Sequence, residues 1–169
     1  MSFSLESPRI IIRSFIPADE APYVNTHMDP VVNIYLPVRS VQQYSELFQQ
    51  SMAQPDAALN RWAIVERQTG NFMGSCLLRE FNAGDDSVIE LGYSLAALYW
   101  GKGYATEMAK LMVDYAFTMP QTQKVVAVTN QENKGSQMVL VKSGFTYRGL
   151  VDRYEGLILS YFEYPKKQV

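Results

Sequence analysis

Between Arg61 and Leu95, three runs of β-forming residues follow one another with only short polar breaks. Arg61 to Arg67, Phe72 to Phe81 and Ser87 to Leu95 each carry branched and aromatic side chains suited to a pleated, half-buried surface. Gln68-Thr69-Gly70-Asn71 and Asn82-Ala83-Gly84-Asp85-Asp86 separate them, and both are turn-forming sequences. Breaks this short join antiparallel neighbours, because a parallel crossover needs a dozen residues or more. The middle of the chain is therefore an antiparallel meander, and the remaining elements must extend it or pack on it.

Upstream, Arg9-Ile10-Ile11-Ile12-Arg13 reads as an opening strand. Pro17-Ala18-Asp19-Glu20 begins a helix, with Pro and acids in the first turn. Asp29-Pro30 and Leu36-Pro37 interrupt the chain, and Ser40 to Ala53 predicts a second helix. Downstream, Ala105, Met108, Ala109, Met112, Ala116 and Met119 recur at helical spacing, with Thr106, Glu107, Lys110, Asp114 and Thr118 elsewhere around the helix. Such a helix lays one face on the sheet, so its methionines belong to the core. Lys124 to Thr129 is a short β-branched strand, followed by a helix from Lys134 to Lys142 that Gly144 ends in a left-handed turn. Phe145 to Arg153 and Leu157 to Tyr164 form a closing hairpin around Glu155-Gly156. No repeat, low-complexity tract or linker divides the 169 residues, so one α/β domain spanning 1–169 is expected.

Composition narrows the function classes. A net charge of −2 and a pI near 5.4 give no nucleic-acid footprint. The single cysteine, Cys76, excludes an internal disulfide framework and a cysteine-rich zinc site, and no metal site is expected. No apolar run approaches the ~20 residues of a membrane span, and the N-terminus lacks a signal-peptide pattern. The expectation is a soluble cytoplasmic protein without nucleic-acid or membrane partners, of open oligomeric state.

The meander leads into Tyr99-Trp100-Gly101-Lys102-Gly103-Tyr104-Ala105-Thr106-Glu107. Small residues let backbone N–H groups approach a ligand, and the helix start adds unpaired donors and a positive dipole end. That combination suits phosphate oxygens. The spacing is not that of a Walker loop. Nor does an acid end the following strand, as a dinucleotide-binding loop would require. Taken alone, the loop is either an anion site or a tight turn for close helix–sheet packing.

Its surroundings carry more. A strand, Trp-Gly-Lys-Gly-Tyr-Ala, a long helix, a strand, an Asn-x-x-Ser helix, then Gly-Phe and a closing hairpin resembles the GNAT superfamily of acyl-CoA N-acyltransferases. Within it, the chain resembles the Rim-type branch of ribosomal-protein N-terminal acetyltransferases. The resemblance runs from Leu5-Glu6-Ser7-Pro8-Arg9 to the last strand and is densest from Glu90-Leu91-Gly92-Tyr93 to Lys142-Ser143-Gly144-Phe145. It implies a GNAT α/β (α+β) fold: a mixed, mostly antiparallel sheet of about seven strands flanked by about four helices.

The superfamily loop is Gln/Arg-x-x-Gly-x-Gly/Ala. Here Trp100 fills the first position, as is usual in the Rim-like branch, Gly103 the glycine position and Ala105 the last. The resemblance implies that amides of Gly101, Lys102, Gly103, Tyr104, Ala105 and Thr106 hold the coenzyme A pyrophosphate. The Lys102 side chain either adds a charge at the mouth or is simply solvated. Pantetheine pairs in the family with the splayed end of the preceding strand, here Leu95, Ala96, Ala97 and Leu98. The Leu95 or Ala96 amide would then meet the thioester oxygen.

On that strand, Ile89, Leu91, Tyr93 and Leu95 alternate with Val88, Glu90, Gly92 and Ser94. Glu90 therefore points away from the more apolar face, and Gly92 leaves a hollow beside it for a substrate. The resemblance puts a general base at Glu90, with an exposed sheet carboxylate as the plain alternative. At pH 7 a neutral amine costs ~1.4 kcal/mol for an α-amino group and ~4.6 kcal/mol for lysine. An ordinary glutamate at ~4.3 is a weak base for either, so a raised pKa or a water relay is needed.

Asn133-Lys134-Gly135-Ser136 has a structural and a functional reading. Asn133 is a good N-cap for the following helix. By the resemblance it touches the pantetheine arm, and Ser136 stands near the coenzyme sulfur, where it assists the departing thiolate. Many members place a tyrosine acid later on this helix; the matching residue here is Leu140. His27 reads as a capping or loop residue beside the acceptor site, and Cys76 as a buried small hydrophobe. Tyr35, Tyr154 and Tyr161 are candidates to line an acceptor pocket.

The resemblance thus implies direct acetyl transfer from acetyl-CoA to a primary amine, either a protein N-terminus or a small molecule, in a ternary complex. The other class is a non-catalytic acyl-CoA-binding regulatory module. The acidic balance is compatible with a cationic acceptor.

Overall fold

The structure is a computed structural model that describes residues 2–153 and 156–168. Its centre is the expected meander: β3 (Arg61–Glu66), β4 (Phe72–Glu80) and β5 (Val88–Leu95), paired antiparallel in sequence order. Two strands extend it on one side, β1 (Ser4–Glu6) and β2 (Ile10–Arg13), with Ile11 opposite Val65. On the other side β6 (Lys124–Thr129) pairs parallel to β5. The closing hairpin, β7 (Thr146–Arg153) and β8 (Leu157–Pro165), docks through β8 on β6. The order is β1-β2-β3-β4-β5-β6-β8-β7, eight strands where about seven were expected. The extra strand is β1, too short at three residues to show a period. Tyr154 and Glu155, which follow β7 in sequence, lie outside the described residues.

Each face of the sheet carries two helices. Trp62, Ile64, Cys76, Leu78, Ile89 and Leu91 point to one side and meet Met108, Ala109 and Met112 of α3 (Tyr104–Ala116) and Leu140 of α4 (Lys134–Lys142). Met108 and Met112 have no exposed surface, so these methionines are core as the spacing predicts. Ala63 and Val65 point to the other side, against Tyr23 and Val24 of α1 (Glu20–Met28) and Tyr44 and Phe48 of α2 (Val41–Met52). Ser40 caps α2 by accepting from the Gln43 amide, while the Gln43 side chain accepts from the Ser40 amide. Gly144 follows α4 at φ +101°, the left-handed turn that a glycine there permits.

One departure from regularity matters for function. β5 and β6 pair only from Val88 to Glu90 and from Lys124 to Val126. Beyond that, β5 stays with β4 as far as Leu95, while β6 stays with β8 as far as Ser160 opposite Thr129. The two strands diverge into a wedge, whose open end faces the loop before α3.

Candidate active site

Backbone alternation decides what lines the wedge. The Ala96 amide donates to Met73 O at 2.8 Å, so it is committed to β4. At the other end of β5, Ser87 O accepts from the amides of Gln123 and Lys124 on the β6 side. Successive residues of a strand direct their N–H and C=O groups to opposite edges. Leu91, Tyr93 and Leu95 therefore turn theirs toward the gap left by β6. Of the two amides considered for the thioester oxygen, Leu95 faces the wedge and Ala96 does not. The Leu95 carbonyl accepts from the Trp100 indole Nε1 at 2.9 Å, which ties the start of the loop to the end of β5.

A turn of 3-10 helix (Ala97–Tyr99) leads into the loop, and Gly101 and Gly103 have φ of +71° and +82°. Gly103 is the N-cap of α3, a conformation that costs an L-residue roughly 1–2 kcal/mol. Among the described residues, none of the amides from Gly101 to Thr106 has an acceptor; the first helical bond runs from Glu107 N to Gly103 O, at 3.1 Å. Six consecutive donors thus converge at a helix N-terminus.

The loop is braced from the N-terminal strands, a contact the sequence reading did not anticipate. Glu107 Oε1 accepts from Ser7 Oγ at 2.6 Å and from the Arg9 amide at 2.9 Å, and its Oε2 accepts from Arg9 Nε at 2.7 Å. Arg9 Nη1 donates to Lys102 O at 2.8 Å, and its guanidinium lies 4.3 Å from the Tyr104 ring centre. Burial alone would raise the Glu107 pKa, but the Ser7 and Arg9 bonds outweigh it and hold the carboxyl low. Lys102 folds back, donating its Nζ to Leu98 O at 3.0 Å.

Glu90 lies on the face covered by α1 and α2, at the last rung before the strands diverge. It is 2 % exposed, which rules out the exposed-carboxylate reading. Its Oε2 accepts from Arg79 Nε, the residue directly opposite on β4. Oε1 is buried and has no hydrogen-bond partner among the described residues. A buried carboxylate oxygen in that condition is costly unless something else satisfies it. The hollow expected beside Gly92 is filled: Leu77, opposite it, has Cγ 3.2 Å from where a Cβ at Gly92 would stand.

The opposite face of β5 carries the second candidate. Ser136, in the first turn of α4, has its Oγ 3.1 Å from the Tyr93 hydroxyl. Burial raises the Tyr93 pKa and the Ser136 bond only partly offsets this, so the phenol stays protonated near neutral pH. Asn133 caps α4, its Oδ1 accepting from Ser136 N at 3.1 Å. Leu140 is in the core. Tyr93 lies on β5 three residues past Glu90 and on the other side of the sheet.

The remaining candidates lie elsewhere or are occupied. His27 is on the last turn of α1 rather than in a loop, sandwiched between Tyr23 and Tyr44 with ring centroids 4.4 and 4.6 Å away. Its Nδ1 meets Tyr23 O at 2.8 Å. Cys76 is buried, and burial raises its thiol pKa far above neutrality. The Tyr35 hydroxyl donates to Glu132 O at 3.3 Å, beside Asn133. The Tyr161 hydroxyl bonds Glu163 at 2.9 Å, and Tyr154 lies outside the described residues. Among the described residues, no group of three His, Cys, Asp or Glu side chains could hold a metal ion, and no helix is long and apolar enough to cross a membrane.

Comparison with known proteins assigns the family. Residues 9–146 match the acetyltransferase (GNAT) domain family. The uncharacterized N-acetyltransferase p20 of Bacillus licheniformis is 28% identical over 158 residues, 90% of this chain and 87% of that protein. The uncharacterized protein YkkB of Bacillus subtilis (strain 168) is 33% identical over 100 residues, so the match spans 59% of this chain and 58% of that protein's length. Among solved structures, the acetyltransferase (GNAT family) from Bacillus anthracis superposes with a TM-score of 0.83 at 20% identity, covering 96% of this chain and 98% of the other. Mycobacterium smegmatis RimJ in complex with CoA-disulfide gives 0.75 at 20% identity, covering 92% and 81%. At such identities the likeness is one of fold.

Proposed function

Because this chain belongs to the acetyltransferase (GNAT) family, it is an acetyl-CoA-dependent N-acetyltransferase, and we propose how its residues divide the work. One domain spanning 1–169 transfers the acetyl group directly to a primary amine, a protein N-terminus or a small molecule, in the cytoplasm. One observation carries the assignment. Six amides without an acceptor among the described residues, Gly101 to Thr106, stand at the mouth of a strand wedge whose edge presents the Leu95 amide. That arrangement suits a pyrophosphate joined to an extended arm ending in a thioester.

The donor then lies along the wedge, with its sulfur on the side of Ser136 and Tyr93. The amine arrives from the α1–α2 face, where Glu90 Oε1 takes its proton through a water molecule. Tyr93 donates to Ser136, whose hydroxyl in turn meets the leaving thiolate. A thiol with a pKa near ~8.5 leaves readily, so this assistance is modest. Most of the rate enhancement comes from holding thioester and amine together. Asn133 sets the start of α4 and hence the place of Ser136.

Calorimetry with acetyl-CoA, followed by a free-thiol assay over a panel of amines and peptides, tests the proposal. It predicts saturable binding and thiol release with at least one acceptor. Binding without release across a broad panel would favour the non-catalytic acyl-CoA module instead.

A further inference from the structure

The α1–α2 face holds a second group of polar side chains, and all of them are donors. Arg61 lies on β3 opposite Leu77, which lies opposite Gly92, so Arg61 shares the face of Arg79 and Glu90. Its guanidinium is half-buried and has neither hydrogen bond nor ion pair among the described residues. The charged groups close enough to influence it are Tyr23, Arg79 and Arg39, none of them a carboxylate, and burial lowers its pKa. Among the described residues the Tyr23 hydroxyl makes no hydrogen bond, in a residue only 1 % exposed overall. Among the described residues Arg39 contacts the Tyr44 ring, 5.8 Å away, and makes no ion pair.

Of these three, Arg61 lines an open cleft of about 510 Å³, together with Arg79, Leu77, Asn60 and Gln54 among others. Among the described residues one carboxylate lines the cleft, Glu80, and it accepts from the Gly84 amide at 2.7 Å. A desolvated guanidinium without a counter-ion is unfavourable unless a ligand supplies one. The local charge is thus opposite to the acidic balance of the whole chain.

We propose that Arg61, with the Tyr23 hydroxyl and Arg39 beside it, binds a carboxylate of the acceptor molecule while Glu90 receives its amine. This rests on the proposed transferase chemistry and names its acceptor class. Strand spacing of ~4.8 Å and a rise of ~3.3 Å per residue put the Cα atoms of Arg61 and Glu90 on the order of 12 Å apart. With both side chains rising from one face, amine and carboxylate stand on the order of 10 Å apart. An α-amino acid is too short to span that distance. A peptide N-terminus with Asp or Glu at its second or third position spans it, at roughly 3.3–3.6 Å per extended residue. A polyamine would instead bring its second ammonium against Arg61.

The test uses tripeptide amides identical except for Asp, Asn or Lys at positions two and three. Turnover is read by thiol release, and binding to the CoA-loaded protein by calorimetry. The wild type should prefer the Asp peptides over the Asn peptides by about tenfold or more in kcat/KM, the size of a charge-assisted hydrogen bond. Arg61→Gln should bring that ratio within about twofold, and Arg61→Lys should restore part of it, which a merely structural role would not do. Equal use of Asp and Lys peptides, or an unchanged ratio in Arg61→Gln, overturns the Arg61 assignment. Selective binding of Asp peptides without thiol release supports the anion site and overturns the transferase reading instead.

Discussion

Replacing Glu90 by Gln separates proton acceptance from every other role of that side chain. The amide is isosteric with the carboxylate and its oxygen can still accept from Arg79 Nε, so the partner of that guanidinium is kept. Arg79 is 43 % exposed, and solvent screening limits the loss of charge attraction to about 1 kcal/mol. In a chain of this size that lowers the melting temperature by about 2–4 °C. The chemical consequence is larger. A positioned general base contributes about 10²–10⁴ in rate, and a base acting through water falls at the lower end, about 100-fold or ~2.7 kcal/mol. Without it, turnover depends on amine that is already neutral, about a tenth of an α-amine at pH 7. The deficit should therefore shrink as pH rises from 7 to 9. Thiol-release kinetics over that range, with acetyl-CoA affinity measured by calorimetry, provide the assay. Acetyl-CoA affinity should stay within twofold of wild type. Parallel loss of affinity and turnover, or a deficit that does not change with pH, would refute the base role.

Three further perturbations probe the surroundings. Tyr93→Phe and Ser136→Ala should each lower kcat about tenfold (~1.4 kcal/mol), and the double variant should lose little more, because the two hydroxyls act as one unit; full additivity would contradict this. Glu107→Gln should cost about 1–2 kcal/mol and raise the acetyl-CoA Kd several-fold by releasing Ser7 and Arg9 from the loop, and unchanged affinity would show that the brace is not needed. The Glu107 carboxyl is held low by those bonds, so its contribution is present above the unfolded value of ~4.3 and lost as pH falls through the lower folded one; Glu107→Gln should flatten that part of an acid-unfolding curve. Burial lowers the His27 pKa, with Arg61 and Arg39 adding to it against the Tyr23 carbonyl. As pH drops below ~6.5 the unfolded imidazole takes up a proton more readily than the folded one, and stability falls. Urea unfolding should show this slope in the wild type and not in His27→Phe; an equal slope in both would locate the titration elsewhere.

What the sequence made legible was local or periodic. The β-branched run Lys124 to Thr129 and the helix Lys134 to Lys142 stand where expected, residue for residue. The meander and the methionine face of α3 follow from alternation and helical spacing in the same way. The features that escaped depend on register. Glu90 meets Arg79 because β4 and β5 pair in one register and no other, which the turn at Asn82 to Asp86 does not specify. Tyr93 meets Ser136 across 43 residues, through the packing of α4 on the wedge. Alternation placed Tyr93 on the apolar face, where a tyrosine is easily counted as core. The commitment of the Ala96 amide to Met73 likewise needed the pairing of two strands. The brace from Arg9 to Glu107 joins the N-terminal turn to the loop, and its residues are ordinary surface types.

The most direct test of the donor site is an amide-resolved NMR titration of the protein with coenzyme A. The account predicts the largest shifts at the amides of Gly101 to Thr106 and at Leu95, with small changes at Ala96 and around Arg61. Saturable shifts centred on the Arg61 cleft, with the Gly101–Thr106 amides unmoved, would contradict it.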